Sequence, residues 1–183
     1  MLSIPHAPEE LVLLITNEWN GSSCADESLR ATASFSQTKE GLRVHLGAVL
    51  RGDEKIPSAR PGRFDGLWEY DVVEAFFVGV DGHYLELELG AGSHWLLLSF
   101  DSIRHRSNSH ETPDFLMSRY SVTGKTWGSE VVIPWTLMPM PLIALNAFQI
   151  ARGHFHAAYK LPGAQADFHQ PGEFPKVQLA VGT

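Results

Sequence analysis

Residues 67–89 read LWEYDVVEAFFVGVDGHYLELEL and decide the fold class, because they contain two short strands joined by a turn. In the second strand, leucines alternate with Glu86 and Glu88, which is the period of a strand with one buried face. The Asp81-Gly82 pair between the strands is a strong hairpin signal. The first strand adds Glu74 to the same face of the hairpin. This polar face is not needed for folding, and it favours the lining of a ligand cleft.

The composition of the whole chain indicates one globular domain. The 183 residues are 44% hydrophobic and 19% charged, which suffices for a sizeable core. A net charge of -7 argues against nucleic acid or an anionic membrane as partner, since phosphate groups attract clustered basic residues. The sequence starts without a signal-peptide pattern, and it has no apolar run of the roughly 20 residues that span a bilayer. We therefore expect a cytoplasmic protein.

The remainder of the chain reads as all-β. Gly, Pro, Asn and Asp occur at short intervals, and the runs between them are rich in Val, Ile, Leu, Phe and Tyr, as in sandwiches built from short strands. The pattern predicts an antiparallel β-sandwich of the immunoglobulin or jelly-roll type, formed by residues 1–183 without a second domain. Long loops are expected at 51–66, 102–114 and 161–173. The predicted strands are 10–18, 28–37, 41–50, 71–80, 83–90, 94–101, 115–123, 126–133, 146–159 and 175–181.

Five blocks of the sequence carry a family resemblance when they are taken in order. They read WEYDVVEAFF, YLELEL, VVIPWTLMP, LNAFQIARG and FHQPGEFPKVQL. Over about residues 64–180 the chain resembles the family-9 carbohydrate-binding modules and related DOMON-like domains. It is similar, more specifically, to an uncharacterised family of animals and bacteria that carries this module alone, with an LW(E/D)YxVVEAFF block and a late DFH. The resemblance implies a β-sandwich, with a sugar cleft on one sheet in the members that bind sugars.

The resemblance also implies which residues would hold a sugar. Trp68 matches the aromatic platform of the family, and Glu74 matches its carboxylate partner. Tyr159 lies where the family has a second platform, although that residue is usually Trp. The chemistry suits a pyranose, because its C–H face stacks on aromatic rings and its hydroxyls pair with charged groups.

Further candidates come from the strands that would share the polar face. Glu86 and Glu88 would accept hydrogen bonds from a ligand, whereas Arg152 and His154 would donate them. Each assignment has a structural alternative. Trp68 either stacks on a ligand or anchors the edge of the sandwich as a buried side chain. Glu74 either binds the ligand or forms an ion pair with Arg152 across the sheet.

Metal sites are a second hypothesis from the sequence, and the metal itself stays unknown. His154 and His156 lie two residues apart on one strand face, and His169 could join them as a third ligand for Zn or Ni. Cys24 is the only cysteine, which excludes an internal disulfide and any cysteine-based zinc cage. The resemblance implies structural calcium, and the loop acids that could hold it are Asp53, Asp65, Asp81 and Asp101.

The sequence favours a binding protein over an enzyme. It has no G-x-S-x-G elbow, H-E-x-x-H motif or Walker loop, each of which would mark a catalytic or nucleotide-binding site. Glu74 and Glu86 could be imagined as the acid pair of a glycosidase, but the resemblance is to a non-catalytic module. We therefore expect weak, reversible binding of a mono- or oligosaccharide. The alternative is a structural or protein-interaction domain that has lost the sugar, with its protein partner unknown.

Overall fold

The computed structural model describes residues 1–111 and 119–181. This part of the chain contains short 3-10 turns at Glu27–Leu29, Leu67–Glu69 and Pro171–Glu173 and no α-helix, so it has no helix long and apolar enough to cross a bilayer. The strands are β1 (Leu2–Ile4), β2 (Leu11–Ile15), β3 (Asn17–Glu18), β4 (Ala31–Gln37), β5 (Gly41–Val49), β6 (Gly62–Arg63), β7 (Val72–Gly79), β8 (Tyr84–Gly90), β9 (His94–Ser102), β10 (His105–Asn108), β11 (Arg119–Thr123), β12 (Thr126–Pro134), β13 (Leu142–Ala151), β14 (His154–Ala157) and β15 (Val177–Leu179).

Two main sheets form the β-sandwich that the sequence predicts. The first has the order β11-β12-β5-β4-β2, and the second has the order β10-β9-β8-β7-β13-β14-β3, with β6 beside β9. All pairings within these sheets are antiparallel except the short one between β6 and β9. A separate parallel pair joins β1 to β15. The Gln37 side-chain amide holds this pair to β4, donating to the carbonyls of Ile4 at 2.8 Å and Ala180 at 3.0 Å.

The main core lies between the two sheets and follows from strand alternation. Val73, Ala75 and Phe77 of β7 point into it together with the leucines of β8, as the sequence predicts. On the facing sheet Phe35 and Trp127 are also buried, and Phe35 meets Phe77 edge to face with ring centroids 5.8 Å apart. Edge-to-face packing of this kind adds to the burial of the rings.

The outer face of the second sheet is also covered, which differs from the open polar face expected from the sequence. Residues Leu161–Phe174, at the C-terminal side of β14, cross this face and contribute Phe168 and Phe174 to a second hydrophobic cluster. The cluster includes Phe76 from β7 and Phe148 from β13. Phe148 stacks on Phe168 with centroids 4.2 Å apart. The face is therefore largely aromatic, and its carboxylates lie among apolar side chains.

Several predicted boundaries were wrong for reasons of turn geometry. The single strand expected over 146–159 is a hairpin of β13 and β14, because Arg152 and Gly153 both adopt positive φ, at 51° and 76°, as the two-residue hairpin turn requires. The strand expected at 10–18 is interrupted between β2 and β3. The loop expected at 102–114 contains β10. Of the strand expected at 115–123, residues 115–118 lie outside the described residues.

Candidate functional site

A pocket of about 330 Å³ opens on the outer face of the second sheet. Its floor is formed by side chains of β7, β8 and β9, and one wall is residues Ala166–His169 of the segment that crosses this face. The 3-10 turn Leu67–Glu69 packs against β8 and β9 and supplies Trp68. The pocket therefore lies between rigid strands on one side and irregular backbone on the other.

Two aromatic rings at the pocket are available to a ligand. Trp68 and Phe155 line it, and each residue is 38% exposed. Leu67, next to Trp68, is fully buried and anchors the 3-10 turn. The alternative of a buried Trp68 is thus wrong, because the turn places Leu67 inward and Trp68 outward. The guanidinium of Arg106 lies 5.4 Å from the centroid of the Trp68 ring, which is within cation–π range.

Three buried carboxylic acids lie at and beside the floor of the pocket. Glu74 and Glu86 line it, and Glu88 lies next to them, fully buried. The strand register explains the grouping, since Glu74 is directly opposite Glu88 in the β7–β8 pair and Glu86 is two residues from Glu88 on the same face. One oxygen of each acid lies within 4.8 Å of those of the other two.

Burial keeps these acids protonated to a higher pH than usual. Burial, aided by the charge of Glu86, raises the pKa of Glu74 well above its usual range. The pKa of Glu88 is also raised well above that range by burial and by the charges of Glu74 and Glu86. For Glu86, burial raises the pKa to about 7, while Glu88 and the guanidinium groups of Arg106 and Arg104 oppose the shift. The floor therefore consists of acids whose neutral form is favoured to a higher pH than in a solvated carboxyl group.

His169 links the floor to the wall of the pocket. Its Nδ1 lies 2.7 Å from the Tyr84 hydroxyl, which also accepts a hydrogen bond from the Arg104 backbone N–H at 3.0 Å. The Nε2 atom lies 3.9 Å from Glu86 Oε2. Burial, together with the charge of Arg104, lowers the pKa of His169 to about 4. His169 is therefore neutral at pH 7 and presents one N–H and one lone pair.

The rim of the pocket is charged. Arg104 Nη2 donates to Asp167 Oδ1 at 2.7 Å, and this ion pair joins β9–β10 to the segment that forms the wall. Arg106 Nη1 donates to Asp65 Oδ1 at 3.2 Å. The pocket thus combines aromatic rings, neutral acids and guanidinium groups. These are the groups that recognise a ligand with both C–H and hydroxyl surfaces.

The structure brings only some of the predicted site residues together. Trp68, Glu74 and Glu86 line the pocket, and Glu88 adjoins it. Tyr159 lies elsewhere, in a shallow surface depression with Met1, Leu2, Pro175 and Lys176. The expected clamp of Trp68 and Tyr159 is therefore wrong, because Asn146 holds the backbone of Tyr159 through hydrogen bonds at 2.9 and 3.2 Å, at a point before the chain reaches the pocket wall. Phe155, rather than Tyr159, is the second exposed aromatic ring at the pocket.

Arg152 and His154 also lie outside the pocket. Arg152 is in the β13–β14 turn, where its guanidinium binds Asp53 and lies 3.6 Å from Asp26. The predicted pairing of Glu74 with Arg152 is thus wrong. His154 is opposite Ala151 in the β13–β14 pair, whereas Phe155 is opposite Ile150. Since side chains alternate along a strand, the side chain of His154 is on the face away from the pocket.

The Arg152 turn belongs to a network of charges at one end of the sandwich. The backbone N–H of Arg152 donates to Asp71 at 3.2 Å, and the guanidinium of Arg51 contacts both Asp71 and Asp53. The Arg51 side chain is only 4% exposed. The network therefore holds three loops together, and among the described residues it serves to position them.

The four acids considered for calcium each contact a basic side chain, and Asp101 lies in β9 rather than in a loop. Asp53 contacts Arg51 and Arg152, and Asp65 contacts Arg106. Asp81 and Asp101 lie against histidines, His83 at 3.2 Å and His105 at 2.6 Å. A structural calcium site remains a prediction.

Several residues of the pocket were not among the candidates predicted from the sequence. Arg104 and Arg106 belong to an IRHR stretch in a region taken as loop, and nothing in its pattern distinguishes their side chains from solvated ones. Asp167, Phe168 and His169 form the DFH block that carried part of the resemblance, and this block was the one available signal for the wall of the pocket.

Comparison with known proteins finds a similar fold in one solved structure. No family model matches the chain. In overall shape it is similar to a solved structure of a candidate carbohydrate-binding protein from Bacteroides uniformis, with a TM-score of 0.69 and 16% identity over 94% of this chain and 86% of the other. That likeness shows the fold.

Sequence comparison finds vertebrate relatives of similar length. The protein named UPF0462 protein C4orf33 homolog of Mus musculus is 32% identical over 165 residues, covering 83% of each chain. UPF0462 protein C4orf33 of Homo sapiens is 31% identical over 168 residues, covering 85% of this chain and 81% of the human one. At this identity and coverage, the chain belongs to the UPF0462 protein family.

Proposed function

We propose that the pocket on the second sheet binds a carbohydrate, reversibly and without chemical conversion. The observation that carries the proposal is the meeting of exposed aromatic rings, Trp68 and Phe155, with the buried acids Glu74 and Glu86 in one cavity. A pyranose needs both kinds of group, because it has a weakly polar C–H face and a rim of hydroxyls.

The size of the pocket suits a small sugar. Small-molecule sites range from roughly 300 to 1,000 Å³, and this pocket is near the lower limit at about 330 Å³. We infer that a mono- or disaccharide stacks one face on Trp68. Its hydroxyls would then meet Arg104, Asp167 and His169 at the rim and wall.

The raised pKa values of the floor acids favour a neutral, hydroxyl-rich ligand. A protonated carboxylic acid donates one hydrogen bond and accepts others, which matches a sugar hydroxyl that also does both. A buried carboxylate cluster that was fully ionised would instead attract a cation. The raised pKa values of Glu74 and Glu88 therefore support a sugar at this position.

The fold comparison supports the same proposal at a coarser level. The solved structure that this chain resembles is named as a candidate carbohydrate-binding protein. The two proteins share a fold, and the pocket of this chain supplies the side chains that would bind the sugar.

The test is isothermal titration calorimetry of the folded protein with a panel of mono- and disaccharides. We expect Trp68→Ala to weaken the binding of a responding sugar by about tenfold or more, which corresponds to about 1.4 kcal/mol. Tyr159→Ala is the matched control, because Tyr159 is an aromatic residue with the same 38% exposure outside the pocket. It should leave the affinity unchanged.

Two outcomes would contradict the proposal. Equal sugar affinities of the wild type and Trp68→Ala would show that the Trp68 ring does not contribute to binding. A flat titration with every sugar, from protein shown to be folded by circular dichroism, would favour the alternative of a protein-interaction domain that has lost its sugar.

A further inference from the structure

A second cluster of ligand-type side chains lies at the far edge of the second sheet, where β3 pairs with β14. It contains Glu18, Cys24 and His156, whose carboxylate oxygen, sulfur and ring nitrogen all lie within 4.8 Å of one another. His154 adjoins it, with Nδ1 3.5 Å from Glu18 Oε1. None of these residues lines the pocket of the proposed function.

The backbone brings these side chains together through two pairings. Glu18 is directly opposite His156 in the β3–β14 pair, so their side chains share a face. A tight turn closed by the Gly21 N–H to the Glu18 carbonyl returns the chain, and Asn17 pairs with Ser23. This antiparallel register places Cys24 on the same side as Glu18. His154, two residues before His156, is on that side as well.

His156 provides a second, independent observation that points to a ligand. Its side chain is 0% exposed, yet neither ring nitrogen has a hydrogen-bond partner among the described residues. Glu18 Oε1 is 3.6 Å from Nε2, which is beyond hydrogen-bond length. Buried polar groups are nearly always satisfied, so unpartnered ring nitrogens beside a carboxylate and a thiol point to coordination of a ligand by His156.

The spacing of the nitrogen and oxygen atoms fits a tetrahedral metal ion. Zinc–ligand bonds of about 2.0–2.3 Å place the ligand atoms of a tetrahedral site roughly 3.3–3.7 Å apart. The Glu18 oxygen lies 3.6 Å from the His156 nitrogen and 3.5 Å from the His154 nitrogen.

We propose that Glu18, Cys24 and His156 form the centre of a binding site for Zn²⁺, with His154, beside Glu18, as the fourth ligand when the metal is bound. One sulfur, two imidazole nitrogens and one carboxylate oxygen are the ligand types that zinc binds, whereas calcium and magnesium take oxygen ligands. The site corrects the sequence-based expectation of His154, His156 and His169. His169 is on the pocket side of the sheet, hydrogen-bonded to Tyr84, and Glu18 and Cys24 stand in its place.

The proposal is tested with protein freed of metal by a chelator and titrated with Co²⁺, followed by displacement with Zn²⁺. Because Cys24 is the only cysteine, a thiolate-to-cobalt charge-transfer band in the near ultraviolet can come from no other residue. We expect one Co²⁺ per chain, the band, and its loss when one equivalent of Zn²⁺ is added.

Variants separate this site from surface binding. Cys24→Ser should abolish the band and weaken Zn²⁺ binding more than tenfold, and His156→Gln should weaken it at least as much. His105→Gln is the control, since the His105 side chain is 72% exposed and outside the cluster, and it should leave both unchanged. If His156→Gln fails to fold, Cys24→Ser alone decides, because Cys24 is only partly buried. Co²⁺ binding without the charge-transfer band, or Zn²⁺ affinity that Cys24→Ser leaves unchanged, would overturn the proposal.

Discussion

Replacing Glu86 with glutamine should change the pH dependence of stability, because the substitution keeps the shape of the side chain and removes its ionisation. Glu86 is 4% exposed, and burial raises its pKa from 4.5 to about 7. At about 1.4 kcal/mol per pKa unit, the difference corresponds to about 3 kcal/mol of unfolding free energy.

The sign of the effect follows from where the proton is held. Between pH 4.5 and about 7, the folded protein keeps a proton on Glu86 that the unfolded chain has released. The unfolding free energy contributed by Glu86 is therefore fully present below pH 4.5 and is lost as the pH rises through about 7. The Glu86→Gln variant has no such loss. Its unfolding free energy should therefore rise by about 3 kcal/mol relative to that of the wild type as the pH increases from about 4 to about 8.

His169 acts in the opposite direction and must be separated from Glu86. Its pKa is lowered from 6.5 to about 4, so it adds stability as the pH rises through that window. The His169 contribution is present in both proteins. Subtracting one curve of unfolding free energy against pH from the other therefore removes most of it. Glu74 and Glu88 remain in both proteins, but the variant removes the Glu86 charge that raises their pKa values, which stabilises the variant at high pH in the same direction as the loss of the Glu86 ionisation itself.

The assay is urea unfolding of both proteins, in about one-unit steps from pH 4 to pH 8. Equal slopes of free energy against urea would show that the two proteins expose the same surface on unfolding. A difference between the two free energies that stays constant from pH 4 to pH 8 would refute the reasoning, since Glu86 would then titrate alike in the folded and unfolded chains.

Two further substitutions test the packing around the site, both by urea unfolding at pH 7. Arg51→Ala should destabilise the protein by about 3–5 kcal/mol, because it leaves the buried Asp71 without the Arg51 guanidinium. The control Arg30→Ala removes an exposed ion pair and should cost about 0.5 kcal/mol or less; equal losses would show that the Arg51–Asp71 pair is not needed for stability. Phe148→Ala should cost about 3–5 kcal/mol, because Phe148 is fully buried and stacks on Phe168; a loss below about 1 kcal/mol would mean that the covering segment does not depend on this ring.

The hairpin at residues 67–89 could be predicted well because alternation and turn chemistry are local. Asp81-Gly82 lies in the turn between β7 and β8, with Gly82 at a φ of 84°, and the split of Ala75 and Glu74 onto opposite faces is confirmed. The Arg152-Gly153 turn was missed because Arg rarely adopts positive φ, and no sequence rule marks it.

The candidate site could be predicted only in part. Trp68, Glu74 and Glu86 follow from one hairpin and its resemblance, so local pattern places them together. Phe155 and Arg104 come from distant strands, and only the sheet order brings them to the same cavity. The burial of the three acids could not be read from alternation, because it depends on the segment that covers the outer face.

The pairing of β1 with β15, held by Gln37, has a consequence for the order of folding. It joins Leu2 to Val177, whereas the hairpins close loops of a few residues. About five doublings of loop length separate the two cases, and at about 0.6 kcal/mol per doubling the longer closure costs about 3 kcal/mol more chain entropy. We expect the hairpins to form first and this parallel pair to form late, after the sandwich has brought its two strands within reach. Amide exchange at β1 and β15 would therefore report on the last contacts that a refolding molecule makes.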